Sequence, residues 1–332
     1  MSQPKPPPPA TIARLSSAVH ASFAMLAACR LDLFTRLQHG PLSAAQLAEA
    51  LGVEPDRLRA LLYVLVAGGL LAVEEGRFAN TAEAQEYLVR GRPSYQGDRH
   101  GLWSDLWHAE LRTAETIQLG RAAARHDYAR MSPEELLTFY RGLHANAMAT
   151  GRLLAQRYDW SACRSLLDVG GGSGGVAIAL ARACPDLRAT VIDLPNVTPL
   201  TRQFVAEEGA QGRVEVQTAD IVQAPPAGQF DAAVLRYLIQ VLGAADAAST
   251  IRHTAAALRP GGVIYIAGWI LDDSRLTPPQ AVMANLTLIN LYDEGQVYTE
   301  HEHFNWLREA GCGDCERVTL PEGAGIIRAR KL

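Results

Sequence analysis

The stretch Ser165-Leu-Leu-Asp-Val-Gly-Gly-Gly-Ser-Gly-Gly-Val-Ala-Ile-Ala-Leu-Ala-Arg182 constrains this chain more than any other. Leu166, Leu167 and Val169 read as a short buried strand. Six residues follow, five of them glycine, before Val176, Ile178, Ala179 and Leu180 open a helical pattern. Strand, glycine turn, helix is the first unit of a doubly wound α/β sheet. Glycine lacks a Cβ, so such a turn takes positive φ and lets a ligand rest on bare backbone. The next strand, Ala189-Thr-Val-Ile-Asp193, ends in an acid at the sheet's carboxyl edge. A carboxylate there accepts both hydroxyls of a ribose. The rest of the chain is read as support for an adenosine-containing cofactor at this point.

The glycines alone do not choose the cofactor. Gly170, Gly172 and Gly175 satisfy G-x-G-x-x-G, and Asp193 lies near the ~20-residue offset of a dinucleotide fingerprint. A nicotinamide or flavin enzyme therefore stays open on this motif. At 332 residues the chain is long enough for two domains and a sizeable core. Its formal charge of −4 implies no broad basic surface for nucleic acid or anionic lipid. No apolar run of membrane-spanning length and no apolar signal core are read, so no membrane partner and a cytoplasmic location are expected. Five cysteines, scattered apart from Cys312-Gly-Asp-Cys315, fit a reducing compartment.

Residues 1–9, with Pro4 and Pro6 to Pro9, read as a disordered or polyproline tail. Residues 10–90 carry a winged-helix outline. Ser43 opens a helix stopped by Gly52, a second runs from about Pro55 to Ala67, and Leu70–Val73 with Arg77–Asn80 suggests a hairpin. A DNA-reading helix needs side chains that reach bases and phosphates. The second helix offers Arg57 and Arg59 and then only apolar groups. That face suits dimer packing. Residues 91–160 read as a helical connector contributing to a substrate pocket, with Trp103, Trp107 and Leu111 on one face and Tyr140, His144 and Met148 on another.

Residues 161–332 continue as an α/β domain. Strands are expected at 213–217, 231–235 and 263–267, helices at about 197–208, 244–258 and 279–292, and a capping box at Thr299 and Glu302. Two last strands, 315–320 and 325–330, form a hairpin. Five βα units closed by a hairpin match the sheet of an S-adenosyl-L-methionine (AdoMet) methyltransferase; a dinucleotide fold would continue with a sixth parallel strand.

From Ala10 onward the chain resembles the homodimeric O-methyltransferases that include the plant caffeate type, acetylserotonin methyltransferase, and bacterial polyketide and carotenoid methyltransferases. The resemblance rests jointly on Leu167-Asp-Val-Gly-Gly-Gly-Ser-Gly174, Asp193-Leu-Pro195, Ala219-Asp220, Leu235-Arg236 and Arg259-Pro-Gly-Gly262. It implies a Rossmann-like methyltransferase domain behind a winged-helix dimerisation domain, AdoMet rather than NAD as cofactor, and a small-molecule methyl acceptor. By the same implication Asp168, Gly170 and Gly172 form the loop under the cofactor. Asp193 and Leu194 hold the ribose side, Asp220 and Ile221 contact adenine, and Arg236 lies beside the cofactor.

The departures carry as much information. The family's catalytic base is a histidine four residues beyond the Arg236 position, flanked by two glutamates. In this chain Gln240 stands at the histidine position, Gly268 at the first glutamate and Val297 at the second. Methyl transfer from a sulfonium demands alignment and a dry site. A phenol also needs a base, worth roughly 10²–10⁴-fold, and an amide cannot take the proton. Either another group serves, with His144 and Tyr140 as candidates, or the acceptor needs no base. A thioether sulfur or an acidic enol carbon meets the second condition. Relatives of this architecture that S-methylate 4-methylthio-2-hydroxybutyrate make a carboxylated thioether one such acceptor, with Arg141 as its arginine fork. A non-methylating use of AdoMet is a further alternative, as is a winged-helix regulator.

Met148, Asn285 and Tyr298 are candidate substrate contacts with Arg141, and Asn290 and Tyr292 lie in the same stretch. Asn285 and Asn290 are polar residues in an apolar run, which suggests a ligand or partner. Cys312 and Cys315 lack the second pair that zinc requires. His301 and His303 diverge on a helix, so no metal is expected. Asp272-Asp273 reads as a solvated loop.

Overall fold

The computed structural model describes residues 7–92, 94–128 and 130–332 and divides into two compact units, Met1–Ser104 and Asp105–Leu332. Of the expected tail only Pro7, Pro8 and Pro9 lie among the described residues, all exposed. The boundary falls beyond the expected residue 90, because the chain stays with the first unit as far as Ser104.

The first unit contains α1 (Ala10–Ser17), α2 (Val19–Arg30), α3 (Leu33–Arg36), β1 (Leu42–Ser43), α4 (Ala44–Leu51), α5 (Pro55–Ala67), β2 (Leu71–Glu74), β3 (Arg77–Asn80) and α6 (Ala82–Tyr87). Then α7 (His100–Glu110) follows across the boundary. Local rules explain the boundaries. Ser43 and Gln46 cap α4 reciprocally, and Gly52 ends it at φ +68°. The hairpin forms as expected, and β1 pairs with β3 to complete a three-stranded wing. Leu58, Leu62 and Leu65 of α5 point inward onto Leu33, Phe34, Leu47 and Phe78. Part of the apolar face assigned to an interface is therefore core, while Tyr63 and Val64 stay exposed. One expectation is overturned: Ala10–Arg30 is long and apolar enough, by length and composition alone, to cross a membrane. Its alanines raise mean hydropathy without a long run of large side chains, and Ile12, Leu15, Val19 and Phe23 remain exposed.

The second unit begins with α8 (Thr113–Leu119) and α9 (Pro133–Arg157), followed by β4 (Ser165–Val169), α10 (Gly175–Ala183), β5 (Arg188–Asp193), α11 (Thr198–Glu207), β6 (Val214–Thr218) and β7 (Phe230–Arg236). It continues with α12 (Ala244–Ala256), β8 (Leu258–Gly268), α13 (Pro279–Leu291), α14 (Glu300–Glu309), β9 (Cys312–Thr319) and β10 (Gly325–Lys331). The seven-stranded sheet has order β6-β5-β4-β7-β8-β10-β9. Its first five strands are parallel, and β10 runs antiparallel to both β8 and β9. The order reverses at β4, where the chain goes first to β5 and later to β7. Doubly wound sheets bind their ligands at such a reversal.

Small residues bring α9 down on α10. A Cβ on Gly175 would lie 2.7 Å from the Ala147 Cβ, and one on Gly151 would lie 2.7 Å from the Ala179 Cβ. The sequence predicts a helical connector over 91–160, and the structure departs from that. Residues 121–128 leave helical geometry ahead of the reciprocal Ser132/Glu135 cap of α9, and Leu111 lies exposed beyond the end of α7. Cys312 and Cys315 are free thiols within β9.

Candidate active site

The carboxyl end of β4 passes into Gly170, Gly172 and Gly174, with φ of +59°, +54° and +70°. Two carboxylates frame this loop. Asp193, the last residue of β5, accepts the Gly172 N–H at 2.8 Å through Oδ2 and the Leu194 N–H at 2.8 Å through Oδ1. Burial pushes its carboxyl up to about 6, against the pull of those two hydrogen bonds. The Thr201 hydroxyl donates to the Gly172 carbonyl at 2.6 Å, so the loop is tied on both sides. Asp168 is wholly buried beneath it; Oδ2 accepts the Ala177 N–H at 3.1 Å, and Oδ1 has no partner. Burial raises Asp168 to about 7, opposed by the Ala177 hydrogen bond and the Arg236 charge.

The remaining cofactor positions gather at the same sheet edge. Ala219 N–H bonds the Asp193 carbonyl at 3.0 Å, which draws Asp220 and Ile221 alongside. The Asp220 carboxylate turns back on the Val222 N–H, and the Ile221 carbonyl bonds the His253 ring. Arg236, at the end of β7, donates Nε to the Thr150 hydroxyl at 3.0 Å and lies over the Tyr237 ring. These groups fit a cationic adenosine cofactor on their own geometry. A bare-backbone cradle meets the adenosine, a carboxylate with free lone pairs meets the ribose, and the partnerless oxygen of Asp168 calls for a positive group.

Gln240 sits in the short 3₁₀ turn Ile239–Val241 and is buried. Its Oε1 accepts the Trp269 N–H at 3.0 Å. A backbone N–H can only donate, so this bond decides the orientation of the amide and leaves Nε2 as the free end. A Cβ at Gly268 would approach Oε1 to 3.0 Å, which makes Gly268 the companion of Gln240. Val297 is buried among Leu271, Ala281 and Leu288, its N–H held by Asn285 Oδ1 at 2.7 Å.

Several of the expected site residues are engaged by protein groups. His144 directs Nδ1 to the Ser173 hydroxyl at 2.9 Å and Nε2 to Glu208 at 3.4 Å, and its ring stacks on Phe204. One nitrogen is engaged by the glycine loop and the other at the end of α11, and none of these partners is shared with Gln240. Desolvation, opposed by Glu208, lowers its pKa. Tyr140 lies against the glycine loop, where a Cβ on Gly172 would stand 2.4 Å from its ring, and burial raises its pKa well above 10. Its ring walls the glycine loop. The Arg141 fork is exposed and clasps Glu207 through two 2.7 Å bonds. Met148 packs into the core between α9 and α10. Tyr298 is core: its hydroxyl donates to the Leu242 carbonyl at 2.7 Å, and its ring meets Trp306 edge-on. Asn285 holds Val297, and Asn290 is buried with Thr113 and Thr116. Both apolar-stretch asparagines therefore satisfy protein groups.

The sequence reading missed the segment after Gly120. Ala124 and His126 donate N–H to the Asn290 and Leu291 carbonyls at the end of α13, at 3.1 and 2.8 Å. Farther along, the Tyr128 carbonyl accepts from Asn196, three residues past Asp193. The Tyr128 and Tyr292 rings stack with their hydroxyls hydrogen-bonded. The segment is a strap from α13 to the tip of β5. Its one sequence signal was the Ser132-Pro133-x-Glu135 helix start, which requires the chain before it to be non-helical.

Comparison with known proteins identifies the family. The O-methyltransferase domain matches residues 108–313, and the O-methyltransferase dimerisation domain matches residues 13–90. The chain belongs to the O-methyltransferase family. It is 31% identical to the tetracenomycin polyketide synthesis 8-O-methyl transferase of Streptomyces glaucescens, over 96% of this chain and 95% of that protein. It is 30% identical to a 3-hydroxy-5-methyl-1-naphthoate 3-O-methyltransferase of Streptomyces sahachiroi, over 97% and 95% of the two chains. The fold matches human N-acetylserotonin methyltransferase, solved with S-adenosylmethionine, at a TM-score of 0.85 and 22% identity, covering 100% of this chain and 99% of that one. As a family member the chain is an AdoMet-dependent methyltransferase with a small-molecule acceptor. Asp168, the glycine loop and Asp193 are the groups that would hold the cofactor.

Proposed function

We propose that this O-methyltransferase methylates the oxygen of a small, planar aromatic acceptor that arrives already ionised. The observation that carries the reading is the orientation of Gln240: with Oε1 bound to the Trp269 N–H, the amide presents donors and no acceptor. An amide N–H stabilises an anionic oxygen and cannot remove a proton. Gly268 and Val297 supply no carboxylate, and His144 has both nitrogens engaged elsewhere. A hydroxyl conjugated to a carbonyl is an anion near neutral pH and needs no base. The aromatic rings of Tyr237 and Trp269 stand edge to face beside Gln240 and suit a flat acceptor. The two bacterial relatives, by name, methylate oxygens of a polyketide and a naphthoate.

A carboxylated thioether is the weaker reading, because Arg141, its intended fork, is engaged by Glu207. We infer further that the chain works in the cytoplasm as a homodimer through residues 13–90, with the exposed apolar side chains of α1 and α2 in the contact. The test is a series of hydroxylated aromatics whose own pKa values run from below neutrality to that of a simple phenol, assayed with labelled AdoMet. The expected pH–rate midpoint moves with the pKa of the acceptor. A midpoint that stays put across the series would reveal a base on the enzyme and end this reading.

A further inference from the structure

Gln240 and Gly268 border a cavity of about 10 Å³ that Tyr237, Trp269 and His303 also line. That is about the least room one water molecule needs, and a buried water needs polar partners as well. Two are present. His303, in the second turn of α14, is buried, with Nδ1 2.8 Å from the Thr299 carbonyl. A carbonyl only accepts, so the ring hydrogen sits on Nδ1 and the lone pair of the neutral ring sits on Nε2. Burial keeps the ring neutral, pushing its pKa down to about 4; Arg317 acts in the same direction, while the Thr299 bond and Glu302 oppose it. His303 Nε2 has no partner among the described residues. Neither has the Nε2 of Gln240, the end left free by Trp269.

We infer that His303 is a positioning residue that holds the Gln240 carboxamide through a single water in this cavity. One N–H of Gln240 donates to the water, the water donates to His303 Nε2, and the second amide N–H remains for the acceptor oxygen. Gln240 is then anchored at both ends, at Oε1 by a backbone N–H and at Nε2 by the water. A pinned amide presents its remaining donor without reorganising during methyl transfer. An aromatic side chain at position 303 would fill the same space and leave Nε2 unanchored. The role rests on the acceptor reading above, but the anchoring itself does not require an acceptor.

Two arms separate the claims. The first is a high-resolution crystal structure of the protein with S-adenosylhomocysteine. A water within hydrogen-bond reach of both His303 Nε2 and Gln240 Nε2 supports the inference, and its absence overturns it, whatever the acceptor proves to be. The second compares His303→Phe with His303→Gln, whose amide oxygen can take the place of Nε2. His303→Phe is expected to keep AdoMet affinity by calorimetry and to lower kcat about 10-fold, the size of one lost hydrogen bond at the transition state. His303→Gln is expected to recover most of that loss. Equal kcat in the wild type and His303→Phe would overturn the positioning role. If His303→Phe does not fold, an unrescued loss of kcat in a folded His303→Gln would overturn it as well.

Discussion

Asp168 is expected to couple AdoMet binding to proton release. Its carboxyl is wholly buried, half satisfied by the Ala177 N–H and raised to about 7 in the free protein. A cation bound near the partnerless Oδ1 favours the ionised form, so binding expels the proton. At pH 7 about half of the free molecules carry it, which gives a release of ~0.5 proton per cofactor from this group. Affinity then falls about tenfold for each pH unit below 7, or ~100-fold between pH 8 and pH 5. Asp193, raised to about 6, adds a contribution of the same sign at the acid end.

The stability of the free protein follows the same group. A carboxyl whose folded pKa lies above its unfolded one binds the proton more tightly when folded. Its contribution is therefore present at low pH and is lost as pH rises from about 4 to about 7. The loss is at most about 4 kcal/mol for a shift of this size. Asp168→Asn abolishes that loss, so the free variant is expected to be more stable than wild type at pH 8 and to bind AdoMet poorly. Titration calorimetry in buffers of differing ionisation enthalpy counts the protons, and urea unfolding from pH 5 to pH 8 reads the stability. Cofactor affinity that is flat over this range, with no buffer dependence at pH 7, would refute the reasoning.

Three further outcomes are expected. Gly172→Ala places a side chain at φ +54° and a Cβ 2.4 Å from the Tyr140 ring; the backbone strain alone costs ~1–2 kcal/mol, and AdoMet affinity measured by calorimetry should fall at least tenfold. Gly268→Ala brings a Cβ to 3.0 Å from Gln240 Oε1, so steady-state kinetics should show a lower kcat with the KM for AdoMet unchanged. Asn290→Leu removes the acceptor of the buried Thr116 hydroxyl and a donor to Thr113; a buried O–H left without its acceptor costs ~1–3 kcal/mol, readable in urea.

Legibility followed the range of the forces. The glycine turn, the Thr299–Glu302 and Ser43 caps, the Gly52 stop and the wing hairpin each depend on residues a few positions apart, and each formed where expected. The functional meaning of the polar residues did not follow. Arg141 meets Glu207 across 66 positions, His144 meets Glu208 across 64, and Asn290 meets Thr116 across 174. Those partners are adjacent only because α9 packs on the glycine-loop layer and α13 packs against α8.

The chain by itself determined an α/β sheet with a glycine turn and an acid at the end of β5, since these are properties of residue type and short spacing, and its resemblance to the family put an amide at the base position. Only the folded molecule decided which way that amide faces, which histidine stands beside it and which polar side chains are already satisfied. The reason is geometric: hydrogen bonds are directional and short, so a side chain's role is settled by whichever distant group the fold places within about 3 Å of it.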